Sequence, residues 1–119
     1  MGVTAVKVTL INPSDETRNM QTDMIVDTGS ILTWLKGTKL PELGIRPRWK
    51  KEFRTIEGKL ISRATGLAVI RYDGSEGAAE VVFGEDTDAD VLGVTALEGL
   101  GYQVDPVSNQ LRRSSLLAL

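Results

Sequence analysis

The chain has 119 residues, a formal net charge of −2 and 41% apolar residues, enough for one modest core and too little for two ordinary domains. It contains no cysteine and no histidine, which excludes disulfides, thiolate nucleophiles, the Ser-His-Asp triad and every zinc site built on Cys or His. The slight negative charge gives no overall attraction to nucleic acid or an anionic membrane, and no apolar run reaches spanning length.

Taken in order, Met1-Gly2-Val3-Thr4 lacks a basic stretch followed by an apolar one, so neither signal peptide nor anchor is expected and a cytoplasmic location is. Val6, Val8 and Leu10 alternate with Lys7 and Thr9, the period of a half-buried strand, and Asn12-Pro13-Ser14-Asp15-Glu16 then reads as a turn. The polar segment 17–23 is expected to return as its hairpin partner and to run into Met24-Ile25-Val26. That short, apolar, β-branched run predicts a buried strand. It ends abruptly in Asp27-Thr28-Gly29-Ser30, which puts a carboxylate at the strand tip, where hydroxyls and backbone N–H groups must compensate its burial. The same four residues are also good turn chemistry at the end of any strand.

Residues 31–35 are again apolar and strand-like, with Trp34 read as core rather than a ligand platform. A short peripheral helix is expected between Thr38 as cap and Gly44 as stop. The basic stretch Arg46-Pro47-Arg48-Trp49-Lys50-Lys51 is expected to be a solvated edge or loop rather than a nucleic-acid patch. Residues 49–56 and 59–65 predict two strands around Glu57-Gly58, and 67–72 and 78–83 two more around the hairpin turn Asp73-Gly74. Asp86, Asp88 and Asp90 alternate as in a calcium loop, but Val91 and Leu97 stand where an EF-hand needs its Gly and its bidentate Glu. No metal site or cofactor is therefore assigned.

Val91-Leu92-Gly93 predicts a short buried strand. Val94, Leu97 and Leu100 at spacing three predict a helix over 94–100, with Gly101 just past its end. Residues 102–104 and 110–113 suggest a last hairpin around 106–109. The apolar tail 114–119 reads either as a segment that packs on a partner or as a disordered end. Many short strands with one short helix near the C-terminus predict an all-β, closed, barrel-like fold in a single domain over 1–119, its core in 3–113.

The order of these motifs resembles a known family. The apolar run followed by Asp27-Thr28-Gly29-Ser30 resembles the active-site signature of the aspartic peptidases. Ala89-Asp90-Val91-Leu92-Gly93, with its helix, resembles the second signature of the single-domain, retropepsin-like branch, and Ile56-Glu57-Gly58 stands where that branch has its flap. The viral members carry Arg-Asn or Arg-Asp where this chain has Val94-Thr95, acidic residues where it has Ile31-Leu32, and a glycine-rich flap where it has Gly58 alone. The likeness is to the cellular, prokaryote-type members.

The resemblance implies an aspartic-type endopeptidase with an acid-protease fold. Carboxylate peptide hydrolysis needs two carboxyl groups, one ionised to take a proton from water and one protonated to polarise the scissile carbonyl. With one Asp-Thr-Gly per chain, the implied assembly is a homodimer with one Asp27 from each subunit. In that picture Thr28 braces the dimer across the two-fold axis, the Gly29 N–H holds its carboxylate and Ser30 donates to the outer Asp27 oxygen. Residues 56–58 close over an extended peptide or unfolded protein, and Val91, Leu92 and Gly93 form the floor. The alternative is a non-catalytic dimeric peptide- or protein-binding module on the same fold, in which Asp27 is only a turn residue.

Overall fold

The structure, a computed structural model, describes residues 4–114; residues 115–119 of the apolar tail lie outside them. β1 (Thr4–Asn12) and β2 (Asp15–Asp27) form an antiparallel hairpin whose register runs from Thr4↔Val26 to Ile11↔Asn19. The turn is held by Asn12, whose Oδ1 accepts from the Ser14 N–H at 2.8 Å. Strand alternation decides which side chains face inward. Thr22, Met24 and Val26 are buried, while Gln21, Asp23, Ile25 and Asp27 are exposed. The expected buried strand is thus corrected: Ile25 is apolar but 41% exposed, and Asp27 shares its outward register.

β3 (Thr33–Leu35) is shorter than the expected 31–35. It leads to α1 (Lys39–Glu42), which is capped by Leu43 and followed by Gly44 with φ +77. Thr38 caps no amide here; its hydroxyl donates to Glu42 Oε2 at 2.5 Å. β4 (Trp49–Arg54) pairs with the first half of β5 (Leu60–Tyr72). β5 is one strand where two were expected, because Gly66 is not a break. A Cβ there would lie 2.8 Å from the Arg46 carbonyl, so glycine lets another stretch of chain cross close by. Asp73 (φ 49) and Gly74 (φ 82) make the two-residue turn into β6 (Ser75–Phe83), both in the left-handed region that such hairpins require.

β7 (Val91–Gly93) lies parallel to β2 and antiparallel to β3 and runs straight into α2 (Val94–Gly99). Gly101, at φ +81, follows the helix as its left-handed C-terminal residue. The expected last hairpin forms from β8 (Tyr102–Val104) and β9 (Leu111–Arg113) as a separate two-stranded sheet. The Thr4 hydroxyl donates to the Asn109 carbonyl and ties it to β1.

The main sheet has seven strands in the order β1-β2-β7-β3-β6-β5-β4, and β1 also pairs with β5 at Leu10↔Ile70. The pairings therefore return to their start, with β4 hanging outside the circuit as an edge strand. Leu10, Met24, Leu35, Leu40, Ile70, Leu92 and Leu97 are all below 2% exposed inside it. At about 1.5–3 kcal/mol for each large apolar side chain removed from water, this cluster fixes β2 and β7 side by side, with α2 behind them.

Candidate active site

Asp27 is the last residue of β2, and the chain turns at once: the Ser30 N–H donates to the Asp27 carbonyl at 3.1 Å, and the Gly29 N–H to Asp27 Oδ1 at 2.9 Å. A Cβ on Gly29 would stand 3.1 Å from that oxygen, so glycine keeps the carboxylate uncrowded. The carboxylate is exposed in the single chain rather than buried. Ser30 differs from its expected position. Its Oγ donates to the Leu32 carbonyl at 2.7 Å, which stiffens the loop and leaves the outer Asp27 oxygen without it. Thr28 is exposed, and among the described residues its hydroxyl has no hydrogen-bond partner.

The loop after Asp27 is held from behind. Parallel pairing sets Ile25 beside Val91, Val26 beside Leu92 and Asp27 beside Gly93. The Gly93 N–H donates to Thr33 Oγ1 at 3.0 Å, the Val94 N–H to Ser30 O at 2.8 Å and the Thr95 N–H to Ile31 O at 3.2 Å. Gly93 is in an ordinary extended conformation (φ −83, ψ 168), so its smallness matters for another reason: a Cβ would fall 2.3 Å from the Leu32 carbonyl oxygen. Asp90 adds a further tether. It accepts from the Lys36 N–H and from Lys39 Nζ, each at 2.8 Å, while its own carbonyl takes the Ile25 N–H at 3.0 Å.

Asp27 opens onto a cleft of about 650 Å³. Its floor carries Ile31, Leu32, Trp34 and Val91, and the β4 side carries Lys51, Phe53 and Arg54. Trp34 is thus a cleft residue and not core: Thr33 and Leu35 take the inward positions of β3 and leave it on the other face. It meets Phe53 edge to face at 4.8 Å between centroids. Strand alternation in Thr33-Trp34-Leu35, and a lone aromatic between Glu52 and Arg54, were the available signals for this pair. Ile56, Glu57 and Gly58 form the β4–β5 turn, with Gly58 at φ +87 and its N–H on the Thr55 carbonyl at 2.8 Å. They are exposed, and none of them lines the cleft of the single chain.

Two of the four charged residues that line the cleft, Lys51 and Asp88, are ion-paired. Lys51 Nζ lies 2.6 Å from Glu80, which also accepts from Thr65 Oγ1 at 2.7 Å, and Arg63 Nε lies 3.1 Å from Asp88. Burial pushes the Asp88 carboxyl up, but the Glu85 N–H and the Arg63 guanidinium outweigh it and hold the group below the ordinary carboxylate value. Glu80 is likewise held low, burial being outweighed by Lys51 and Thr65. Of the basic stretch, Trp49, Lys50 and Lys51 lie on edge strand β4 and residues 46–48 lead into it, with Arg48 over the Trp49 ring. Among the described residues no group of three or more acids is placed to hold a metal ion.

A second groove of similar size begins on the far side of Asp27, lined by Ile25, Thr28, Val94, Leu97, Tyr102 and Val104 among others. Asp27 thus stands on the rim shared by both grooves.

No protein-family model matches the chain, and no curated protein does. Solved structures do. The solution structure of the Simian foamy virus (mac) protease aligns at TM-score 0.56 and 16% identity, covering 80% of this chain and 92% of that one. The crystal structure of a retropepsin-like aspartic protease from Rickettsia conorii aligns at TM-score 0.59 and 17% identity, covering 92% of this chain and 91% of that one. The protein has the retropepsin-like fold of aspartic proteases.

Proposed function

We propose that the protein is an aspartic-type endopeptidase that works as a homodimer in the cytoplasm, cleaving extended or unfolded peptide segments between two Asp27 carboxylates. The observation that carries this is the position of Asp27. It is the exposed end of a rigidly backed strand, on the rim between a peptide-sized cleft and a second, largely apolar groove. A two-fold partner seated on the second groove brings its own Asp27 to the same rim.

Two like carboxylates in contact cannot both stay ionised, so they share a proton, as aspartic-protease dyads are known to do. The ionised member takes a proton from water as the water attacks the scissile carbon. The protonated member hydrogen-bonds the carbonyl oxygen, and as the tetrahedral intermediate collapses the C–N bond breaks and the amine leaves with the proton taken from water. The Gly29 N–H, already on Asp27 Oδ1, holds that oxygen in place. Edge strand β4 offers an open ladder for an extended substrate, and residues 56–58 close over it.

One observation favours the non-catalytic reading: the Gly29 and Ser30 bonds to Asp27 are also those of an ordinary turn at a strand end. Turnover of an unfolded protein at acidic pH separates the two. Wild type is expected to cleave and Asp27→Asn to be inert with its fold and dimer intact. Equal cleavage by the purified Asn variant, or none by either, removes the endopeptidase reading.

A further inference from the structure

The cleft has a chemical preference written into its walls, an inference that rests on the proposed peptide-cleaving role. On the apolar side, Trp34 from the floor and Phe53 from β4 meet at 4.8 Å, and Ile31 beside them is 70% exposed. An aromatic edge-to-face pair next to an exposed aliphatic side chain is a seat for one large apolar side chain. On the charged side the ion pairs leave one cation over. Lys51 is taken by Glu80 at 2.6 Å and Asp88 by Arg63 at 3.1 Å. Arg54, next to Phe53, makes a single bond from Nη1 to the Gly58 carbonyl at 3.2 Å. Among the described residues it has no carboxylate partner. A guanidinium carries five N–H donors in a planar fork, so most of this one is available to a carboxylate, which it can hold bidentately.

We propose that the cleft selects acidic peptides, in which an Asp or Glu side chain binds Arg54 next to a large apolar residue seated on Trp34 and Phe53. Phe53 and Arg54 are successive in β4 and leave opposite faces of the strand, so an extended substrate paired along that edge meets them with neighbouring residues, whose side chains alternate in the same way. The same arrangement disfavours a substrate lysine, which would face Arg54.

The test uses full-length protein carrying Asp27→Asn, so that binding is read without turnover. Tryptophan fluorescence is titrated in protein that also carries Trp49→Phe, so that the signal comes from Trp34, with four otherwise identical peptides holding Phe-Glu, Phe-Gln, Phe-Lys or Ala-Glu at the centre. The Phe-Glu peptide is expected to bind about tenfold tighter than Phe-Gln, with Phe-Lys and Ala-Glu weaker than Phe-Glu. Arg54→Glu should reverse the order of the Glu and Lys peptides, and Arg54→Lys should keep it, which separates the charge from the bond to Gly58. Equal affinities in the parent protein, no binding of any peptide, or an unchanged order in Arg54→Glu would overturn the inference. The underlying role fails separately. If wild type cleaves nothing while the binding preference holds, the endopeptidase reading falls and this one stands; cleavage without the preference gives the converse.

Discussion

Replacing Gly93 with alanine tests whether the Asp27 loop is held by close backbone approach. At φ −83 and ψ 168 alanine meets no dihedral objection, so the cost is steric. The new Cβ would stand 2.3 Å from Leu32 O, 2.5 Å from Leu32 C and 2.9 Å from Ile31 O. All three are backbone atoms, so no side chain can swing aside, and reaching ordinary contact near 3.4 Å needs a loop shift of about 1 Å. That shift stretches the Val94–Ser30 and Thr95–Ile31 hydrogen bonds, now 2.8 and 3.2 Å. Overpacking at about 1–3 kcal/mol and two bonds at about 0.5–1.5 kcal/mol each give a loss of about 2–6 kcal/mol. Against a typical stability of about 5–15 kcal/mol, this should lower the urea midpoint by about 1 M or more, read by circular dichroism at fixed protein concentration. Peptidase activity should fall even at low urea, because the displaced loop carries Asp27. Gly74→Ala is the control: its φ of +82 costs about 1 kcal/mol, and nothing lies within 4 Å of its Cβ. A Gly93→Ala protein as stable as the Gly74→Ala control would refute the reasoning.

Thr28→Val removes the exposed hydroxyl that the proposed dimer places at its two-fold axis. A total loss of about 1.4 kcal/mol would raise the dimer dissociation constant about tenfold, seen as earlier loss of sedimentation mass and specific activity on dilution. Ser30→Ala loses the bond to Leu32 and should cost about 1 kcal/mol of stability while leaving the acid limb of the kcat/KM profile in place; a displaced limb would put the hydroxyl on Asp27 after all. The Asp88 carboxyl, lowered against its burial by the Glu85 N–H and by Arg63, is a source of stability that is present above the ordinary value of 3.8 and lost as the pH falls below it. Asp88→Asn should therefore be less stable than wild type near neutrality, and the gap should narrow in acid urea titrations. A gap independent of pH would mean that charge is not the cause.

Much of the fold was legible because its signals are local. The alternation in β1, the Asp73-Gly74 turn, the spacing-three helix before Gly101 and the last hairpin each depend on residues a few positions apart. The loop at Asp27 and the strand of Leu92 and Gly93 were legible as motifs, although their parallel pairing was not. What stayed hidden depends on contacts between distant segments. Gly66 reads as a break until the Arg46 carbonyl crosses it. Ile25 masks the alternation of β2 because it is apolar yet exposed, and so Asp27 reads as buried. Ser30 carries a donor, but nothing in the sequence says that Leu32 O lies nearer to it than the carboxylate does. The cleft charges were silent for the same reason: Lys51 of β4 reaches Glu80 of β6 across the intervening β5, and Arg63 of β5 reaches Asp88 in the loop after β6, and Arg54 stands out only after they are matched.

The central claim, one active site shared by two chains, is tested most directly by mixing subunits. Wild-type protein is combined with Asp27→Asn protein at constant total concentration, equilibrated to exchange subunits, and assayed for peptide cleavage across the mixing range. If each site needs one ionisable Asp27 from each chain, mixed dimers are inactive and activity follows the square of the wild-type fraction, falling to roughly a quarter at equal parts. A straight line, with about half the activity at equal parts and subunit exchange established by mass, would place a complete site within a single chain and contradict the account.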